Sequence, residues 1–501
     1  MICNMGLQRI AFLGCLILAP VHGFGQTRAN EGLAERLDQF LIQSVENGFA
    51  GAVLVAVDDA VILSEGYGLA NRESGITVSP STVFNIGSVT KPFTAAAVMK
   101  LVEQGRLRTS NTLGSIFEYA PEDKRNITIH QLLTHTAGIS EDTGGFRYDR
   151  ANRSEFLELF FDTPLAREPG GSYEYANTGY TVLAAIVETV SGQSFEAFLR
   201  AHLFEPAGMS KTGYLMPVWR RDEFAHSYYF DVEENDWTDW GITLDRFGDD
   251  VSWYGIGKGD LQSTVLDLYA WHIALETEEI LSRDTQVMME ERHVPEQPEG
   301  RTHYGYGWAI FTSPMGAKIV THNGSNGYYF ADFIRFVDDD VVIIVLTSLD
   351  RDEGVAWEIA RMIFQSDYEP PKFPRNDFEL VSEFIGTHTL DEAGDLTAYF
   401  EEQQHSPLTD RRVLNRFGID RLRKGDTKWA IALFEINTRL FADDGNLWDS
   451  LGEAYLADRQ YSSARESFRT ALELGAMSSD CFWCENSRNR LSDIEASTEQ
   501  P

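Results

Sequence analysis

The sequence predicts an α+β fold, with an antiparallel sheet and a helical region in one domain, followed by an α-helical segment at the C-terminus. Runs rich in β-branched residues occur near residues 51–67 and again near 318–347. Helical patterns fill the interval between these runs. Beyond residue 410 the chain repeats itself with a period of 34 residues, which indicates paired helices.

The composition is that of a globular protein, because 43% of the 501 residues are hydrophobic and 24% are charged. A chain of this length predicts more than one domain. The formal net charge of −35 disfavours contact with nucleic-acid phosphates and anionic lipids, so we expect no nucleic-acid partner. After the N-terminus, no stretch is long and apolar enough to predict a membrane span.

Residues 1–25 are predicted to be a signal peptide. Arg9 precedes a short apolar run, Ile10–Leu18, and the small residues Gly23 and Gly25 follow it near a cleavage point. The run is too short to span a bilayer comfortably. We therefore expect a periplasmic or secreted protein, with a lipoprotein anchored at Cys15 as the less favoured alternative.

Residues 26–370 are predicted to form the α+β domain. Gly51–Val57 and Val61–Tyr67 have the composition of two strands joined by a turn at 58–60. Helices are expected from about Pro92 to Gln104 and from about Thr178 to Val190, each ending near a glycine. The later predicted strands are Lys318–Thr321, Tyr328–Phe336 and Val341–Thr347.

Residues 371–410 are predicted to be a linker or a poorly defined segment, because three prolines lie within 368–375 and the helical signal that follows is weak. Residues 411–480 contain the repeat, in which Gly418 corresponds to Gly452 and Phe434 to Phe468. This period is typical of tetratricopeptide repeats (TPR), so we predict a TPR-like pair that binds a protein partner. A coincidental helical hairpin is the alternative.

Two repeats are fewer than a self-supporting array needs, so the pair is expected to pack on the α+β domain or on another chain. Residues 481–501 are predicted to be a C-terminal tail that begins with Cys481 and Cys484. In an oxidising compartment, this spacing favours a local disulfide over a metal site or a redox motif.

Ser88 and Lys91 form the one Ser-x-x-Lys pattern of the chain. Pro92 is tolerated only in the first turn of a helix, so Ser88 is expected at a helix N-terminus, where backbone N–H groups favour a developing anion. Lys91 lies on the same face, and a lysine in a dry pocket has a lowered pKa and can accept the serine proton. A serine N-cap beside a surface lysine is the alternative.

Two further motifs offer polar groups to the same chemistry. Tyr175 can relay a proton, and Asn177 can hold both a substrate amide and Lys91; alternatively, Asn177 only caps a helix. His322, Gly324 and Ser325 follow a strand, where a glycine allows close backbone approach and the Ser325 N–H can join that of Ser88 in an oxyanion hole. A plain turn after the strand is the alternative.

In this order the three motifs resemble those of the β-lactamase-related serine hydrolases, which include class C β-lactamases, D-amino-acid peptidases, D,D-carboxypeptidases and family VIII esterases. The stretches Phe84–Lys91, Leu132–Gly138 and Gly257–Thr264 are similar in style, and the resemblance covers roughly residues 30–370. It implies a β-lactamase/penicillin-binding-protein-like domain. Both His130 and His135 are interpreted as structural.

The resemblance also implies a two-step acyl transfer without a metal or organic cofactor. Ser88 attacks with assistance from Lys91 and Tyr175, and the N–H groups of Ser88 and Ser325 hold the oxyanion. Asn177, His322 and Gly324 are predicted to contact the substrate. The sequence does not decide between Lys91 and Tyr175 as the base, because the two groups titrate as a coupled pair.

His322 occupies the place where the β-lactamase branch has Lys-Thr-Gly. The expected substrate is a small molecule or peptide that is an ester, an amide, a D-aminoacyl peptide or a β-lactam. A neutral imidazole holds a carboxylate less firmly than an ammonium does, so we expect β-lactams and peptides with a free carboxylate to be the poorer substrates. A conventional Ser-His-Asp hydrolase is disfavoured because the chain has no Gly-x-Ser-x-Gly. A catalytically silent sensor or scaffold that binds partners through its TPR region is the alternative function.

Overall fold

The computed structural model describes residues 23–140, 150–240, 251–298, 300–314, 316–349, 354–403, 405–477 and 481–498. The predicted signal peptide therefore lies almost wholly outside the described residues. The strands are β1 (Gly51–Val57), β2 (Ala60–Tyr67), β3 (Leu69–Asn71), β4 (Ile76–Thr77), β5 (Phe84–Asn85), β6 (Tyr228–Asp231), β7 (Asp236–Asp239), β8 (Gln262–Ser263), β9 (Val294–Pro295), β10 (Thr302–Tyr304), β11 (Ala309–Thr312), β12 (Lys318–Ser325), β13 (Phe330–Phe336) and β14 (Val341–Thr347).

The α-helices fall into a first group that covers the large sheet and a second group that follows it. The first group is α1 (Gly23–Glu46), α2 (Thr90–Glu103), α3 (Leu113–Ile116), α4 (Ile129–Leu133), α5 (Arg153–Asp162), α6 (Asn177–Ser191), α7 (Phe195–Leu199), α8 (Val265–Glu276), α9 (Arg283–Met289) and α10 (Val355–Phe364). The second group is α11 (Asp377–Thr387), α12 (Leu396–Glu402), α13 (Arg411–Arg423), α14 (Thr427–Leu440), α15 (Gly445–Ala457), α16 (Tyr461–Gly475) and α17 (Cys484–Thr498). We call residues 23–364 the sheet region and residues 377–498 the helical region.

One antiparallel sheet joins the two ends of the sheet region. Its strand order is β2-β1-β14-β13-β12-β11-β10-β9, and Gly51 of β1 pairs with Thr347 of β14. In β14, Val342, Ile344 and Leu346 pack towards α2, α6 and α8, whereas the alternate residues pack towards α1 and α10. Because helices cover both faces, the strand is a continuous apolar run rather than an alternating one. This arrangement confirms the predicted α+β sheet.

The predicted elements differ from the observed ones mainly at their ends. The β1–β2 hairpin is confirmed, and the two predicted helices begin at Thr90 and Asn177. The third predicted strand extends to Ser325, because backbone pairing with β13 continues through polar residues. The fourth begins at Phe330 instead of Tyr328, because the Asn326 side chain accepts the N–H groups of Tyr328 and Tyr329 and forms a turn.

Helix α2 lies at the centre of the sheet region and packs against α6. All its residues from Thr90 to Met99 are buried, which includes Lys91. Helix α6 ends at Gly192, whose φ of +74° closes the helix in a left-handed conformation. No single described helix has the length and apolarity to cross a membrane; only the bent pair Asn177–Ser191 and Phe195–Phe204, taken together, meets that condition.

The segment predicted as a linker or poorly defined is largely helical. Residues 377–387 and 396–402 form α11 and α12, and the side chains of Leu380, Phe384 and Phe400 enter one hydrophobic cluster with α13 and α14. The apolar residues of α11 recur at helical spacing, and this pattern outweighs the three nearby prolines, which all precede the helix. Residues 365–376 and 405–410 lie outside helices and strands.

The repeat of 34 residues corresponds to two helical hairpins with the same contact. A Cβ at Gly418 would lie 2.5 Å from the ring of Phe434, and a Cβ at Gly452 would lie 2.6 Å from the ring of Phe468. The predicted tail is also helical: α17 packs on α16 and buries Ile494. Cys481 and Cys484 are joined by a disulfide that lies against Gly475 at the end of α16.

Candidate active site

Ser88 lies in a 3-10 turn, Gly87–Val89, directly before α2. Short strands fix this turn, because β5 pairs with β8 and the N–H of Ile86 donates to the carbonyl of Leu261 at 2.9 Å. The Asn85 side chain then accepts the N–H of Gly87, also at 2.9 Å. Ser88 is therefore held at the N-terminal end of a buried helix, as predicted.

Lys91 is fully buried beside Ser88 and connects three parts of the chain. Its Nζ lies 2.9 Å from Ser88 Oγ, 2.8 Å from Asn177 Oδ1 and 2.8 Å from the backbone carbonyl of Lys258. As an ammonium, Lys91 has one N–H for each of these three oxygens; once it has lost a proton, it keeps two N–H donors and its lone pair can face the Ser88 hydroxyl. The arrangement suits proton transfer between Ser88 and Lys91.

Tyr175 and Asn177 both reach this centre. Asn177 is the first residue of α6, and Lys91 Nζ lies 4.7 Å from the centroid of the Tyr175 ring. The structure thus brings Ser88, Lys91, Tyr175 and Asn177 together from turns and helices that are far apart in the sequence. Their individual roles in catalysis stay predictions.

The end of β12 lies against the turn that carries Ser88. A Cβ at Gly324 would be 2.2 Å from the carbonyl oxygen of Ile86 and 2.7 Å from the Ser88 nitrogen, so only glycine allows this approach. The N–H of Asn326 donates to the carbonyl of Tyr329, directly beyond the paired residues of β12 and β13. Hydrogen-bonded pairs alternate in antiparallel sheets, so the Ser325 N–H points away from β13. The geometry favours an oxyanion hole formed with Ser88.

His322 is buried on β12, three residues before Ser325, and contacts protein groups through both ring nitrogens. Nδ1 donates to the Asn323 carbonyl at 2.6 Å, and Nε2 accepts from the Tyr304 hydroxyl at 3.0 Å. Burial and the charge of Lys91 lower the pKa of His322 to about 3, so the imidazole is neutral. It has no N–H left for a substrate; direct substrate binding by His322 stays a prediction.

The sequence did not identify His135 as part of the site. Its Nδ1 accepts the N–H of Ala176 at 3.1 Å, its carbonyl accepts the N–H of Glu174 at 2.9 Å, and its ring centroid lies 4.5 Å from that of Tyr175. Burial, and then the charge of Lys91, hold its pKa well below the usual value. His135 is structural, as interpreted, but what it supports is the Tyr-x-Asn segment.

Among the described residues, one group offers three metal-ligand atoms within 4.8 Å of one another: Glu73, His226 and Asp239. Hydrogen bonds occupy these atoms, because His226 Nδ1 lies 2.7 Å from Asp239 and the Tyr228 hydroxyl donates to Glu73 at 2.6 Å. The group closes the base of the β6–β7 hairpin and takes no part in the Ser88 centre. The expectation of a hydrolase without a cofactor stays a prediction.

Known proteins with similar sequences include penicillin-binding proteins. Penicillin-binding protein 4* of Bacillus subtilis (strain 168) is 27% identical over 373 residues, which cover 68% of this chain and 80% of that protein. The octameric penicillin-binding protein homologue from Pyrococcus abyssi is 27% identical in sequence and superposes with a TM-score of 0.56 over 66% of this chain and 77% of that one.

A D-amino acid amidase from Ochrobactrum anthropi SV3 has the same fold, with a TM-score of 0.57 at 20% identity over 67% of this chain and all of the other. Among family profiles, that of the Beta-lactamase family matches residues 35–363, which is most of the sheet region and well over half of the chain. The motifs around Ser88 lie inside the matched residues. The chain therefore belongs to the Beta-lactamase family, as a serine hydrolase of the β-lactamase/transpeptidase-like superfamily.

Proposed function

We propose that this protein hydrolyses esters, amides or D-aminoacyl compounds through an acyl-enzyme on Ser88. The observation that carries the proposal is the 2.9 Å distance between the buried Lys91 Nζ and Ser88 Oγ. A serine hydroxyl is a weak nucleophile until a neighbouring base takes its proton. The buried amine is in position to be that base.

In the proposed acylation, Ser88 Oγ attacks the substrate carbonyl carbon and its proton passes to Lys91 or to Tyr175. The N–H groups of Ser88 and Ser325 stabilise the oxyanion of the tetrahedral intermediate. The intermediate collapses, and the leaving group departs with the proton. Water then attacks the acyl ester, the acid is released and Ser88 recovers its proton. Lys91 and Tyr175 act as a coupled pair, so either can be the first acceptor.

The state of His322 supports a substrate without a free carboxylate beside the scissile bond. A neutral ring whose two nitrogens are already hydrogen-bonded offers a carboxylate neither charge nor a donor. We therefore propose that β-lactams and peptides with a free carboxylate are poorer substrates than neutral esters and amides. The relatives named above include both penicillin-binding proteins and an amidase, which is consistent with either class.

The proposal also includes export and a TPR-like pair. The N-terminal charge and apolar run favour a periplasmic or secreted protein, and the Cys481–Cys484 disulfide suits an oxidising compartment. The 34-residue period and its repeated glycine–phenylalanine contact support TPR-like packing and, with it, a protein partner.

The test is intact-protein mass spectrometry after incubation with a fluorophosphonate and, separately, with a penicillin. Wild type is compared with Ser88→Ala, and Ser325→Ala is the matched control because it loses a hydroxyl but keeps the backbone N–H. We expect a fluorophosphonate adduct on wild type and Ser325→Ala and none on Ser88→Ala. Turnover of neutral esters is expected to exceed that of nitrocefin.

Two outcomes would overturn parts of the proposal. If no variant forms an adduct, Ser88 is not activated and the scaffold alternative is favoured. If nitrocefin or another cephalosporin is turned over well above a neutral ester, the acyl-enzyme mechanism stands but the proposed substrate class is wrong.

A further inference from the structure

The β6–β7 hairpin extends from the sheet region into the helical region. Phe230 is buried in the cluster formed by α11–α14, with its ring centroid 6.5 Å from that of Phe417 and 5.8 Å from that of Trp237. The tip is thus part of the core of the helical region, although its chain position lies between α7 and α8.

Polar contacts hold the hairpin at its tip as well. Trp237 Nε1 donates to Glu379 of α11 at 2.5 Å, and Arg423 of α13 forms a 2.8 Å ion pair with Glu233. The exposed ion pair contributes little by itself. Phe230 and Trp237 bring to the attachment the apolar surface that the ion pair lacks.

The base of the hairpin contacts the turn that follows Ser325. Ser227 Oγ donates to the carbonyl of Tyr328 at 2.5 Å, and the Tyr329 hydroxyl donates to the carbonyl of Ala225 at 2.7 Å. The ring of Trp240, next to β7, meets that of Tyr328 edge-on at 4.9 Å. These contacts hold Tyr328 and Tyr329, the two residues that precede β13 in the turn.

An isolated two-stranded hairpin is at best marginally stable in water. The order of this hairpin therefore depends on its contacts at both ends, and α11–α14 provide those at the tip. The same hairpin then supports residues 326–329, whose conformation sets the direction of the Ser325 N–H at the end of β12.

We propose that the helical region is a positioning element of the active site, which acts through the β6–β7 hairpin on the turn beside Ser325. It holds the predicted oxyanion donor in place and touches no reacting atom. The catalytic part of this inference rests on the proposed function; the mechanical part, that loss of the tip contact loosens the turn, does not.

The test uses the full-length protein with Trp237→Ala at the contact and Trp448→Ala as the matched control. Trp448 lies in α15, and its Nε1 donates within the helical region to Ala442. Phe230→Leu, a smaller change at the same contact, is the second variant in case Trp237→Ala unfolds the helical region. Hydrogen exchange is followed by mass spectrometry in peptides covering residues 323–330, and ester hydrolysis is measured in parallel.

We expect exchange at Tyr328 and Tyr329 to be faster in Trp237→Ala and Phe230→Leu, and unchanged in Trp448→Ala. In these two contact variants the kcat of ester hydrolysis should fall by about 10-fold with little change in KM. A loss of that size is usual when a residue acts on an active site through intervening contacts. A purely structural role would leave kcat unchanged for the folded fraction.

Exchange that is the same in wild type and both contact variants overturns the inference, and so does faster exchange with an unchanged kcat. If wild type hydrolyses no ester, the proposed function fails. The exchange data still decide whether the contacts of the hairpin tip stabilise the turn at residues 326–329. The two failures are therefore distinguishable.

Discussion

At the scale of single residues, His135 holds the backbone beside Tyr175 and Asn177 without facing Ser88 itself. Its φ of +56° is unusual for a residue with a Cβ, and the conformation turns Nδ1 to the N–H of Ala176. Because Nδ1 accepts, the proton of the neutral ring is on Nε2, for which the described residues provide no partner. The surrounding contacts therefore maintain a conformation that is costly in isolation.

We predict that His135→Asn retains more activity than His135→Phe. Asparagine tolerates positive φ and offers an acceptor where Nδ1 was, whereas phenylalanine keeps a ring but cannot accept the N–H of Ala176. With Tyr175 and Asn177 displaced, kcat of His135→Phe should fall by about 100-fold with little change in KM. Steady-state ester kinetics check this; equal losses in both variants would show that ring packing, rather than the hydrogen bond, matters.

A second prediction concerns the pH dependence of activity. Because the pKa of His322 is about 3, the residue is neutral from pH 5 to 8 and should contribute no step to kcat/KM in that range. The profiles of wild type and His322→Gln should have the same shape and differ by a constant factor. A step near pH 6.5 that is present in wild type and lost in the variant would contradict this.

Sequence reasoning could find Ser88 and Lys91 because their contact is local, three residues apart at the start of a helix. It identified Asn177 through a motif whose convergence on Lys91 depends on tertiary structure. It could not find the Lys258 carbonyl or the supporting role of His135, because backbone acceptors and backbone conformation have no residue-type signature.

At the scale of elements, the contact between β12 and the Ser88 turn is closer than any side chain permits. We predict that Gly324→Ala lowers kcat by about 100-fold, which is the usual cost of losing one oxyanion donor, while the sheet still folds. The control is Gly259→Ala, because a Cβ there would lie 3.7 Å from its nearest neighbour, Gly87. Ester kinetics and circular dichroism check the pair; comparable kcat values in the two variants would refute the close-approach argument.

Long elements were predictable and short ones were not. The apolar runs of β13 and β14 and the patterns of α2 and α6 were identified from periodicity. The β6–β7 hairpin was not, because its strands have four residues each and their burial comes from a distant helical region. Helices α11 and α12 were assigned to a linker because the nearby prolines were given more weight than the spacing of Leu380 and Phe384.

At the scale of the whole molecule, buried histidines link stability to pH. Burial lowers the pKa of His135 well below 6.5 and that of His272 and His322 to about 3. In the unfolded chain each returns to about 6.5, so between pH 6.5 and 3 the unfolded state binds protons that the native state does not. Their contribution to stability is complete above pH 6.5 and is lost as the pH falls.

We predict a decline in the free energy of unfolding of about 1.4 kcal/mol per pH unit for each of these histidines within that window. Urea unfolding at pH 7.5, 6.5 and 5.5 measures the slope. His272, whose charged neighbours are Arg335 and Glu290 and not Lys91, is the residue to change. His272→Asn should make the decline shallower by about one histidine's share and leave hydrolysis unchanged. An unaltered slope in that variant would exclude His272 as a contributor.

The pairing of Gly51 with Thr347 also has a consequence in time. A ribosome makes β1 early and β14 only after almost all of the sheet region has emerged, so the first strand has no neighbour on its inner edge for most of synthesis. Closing so large a loop is slow compared with forming local helices. The nascent chain should therefore stay open until the final strands are made, and a chain cut short before β14 leaves an unpaired, apolar strand edge exposed.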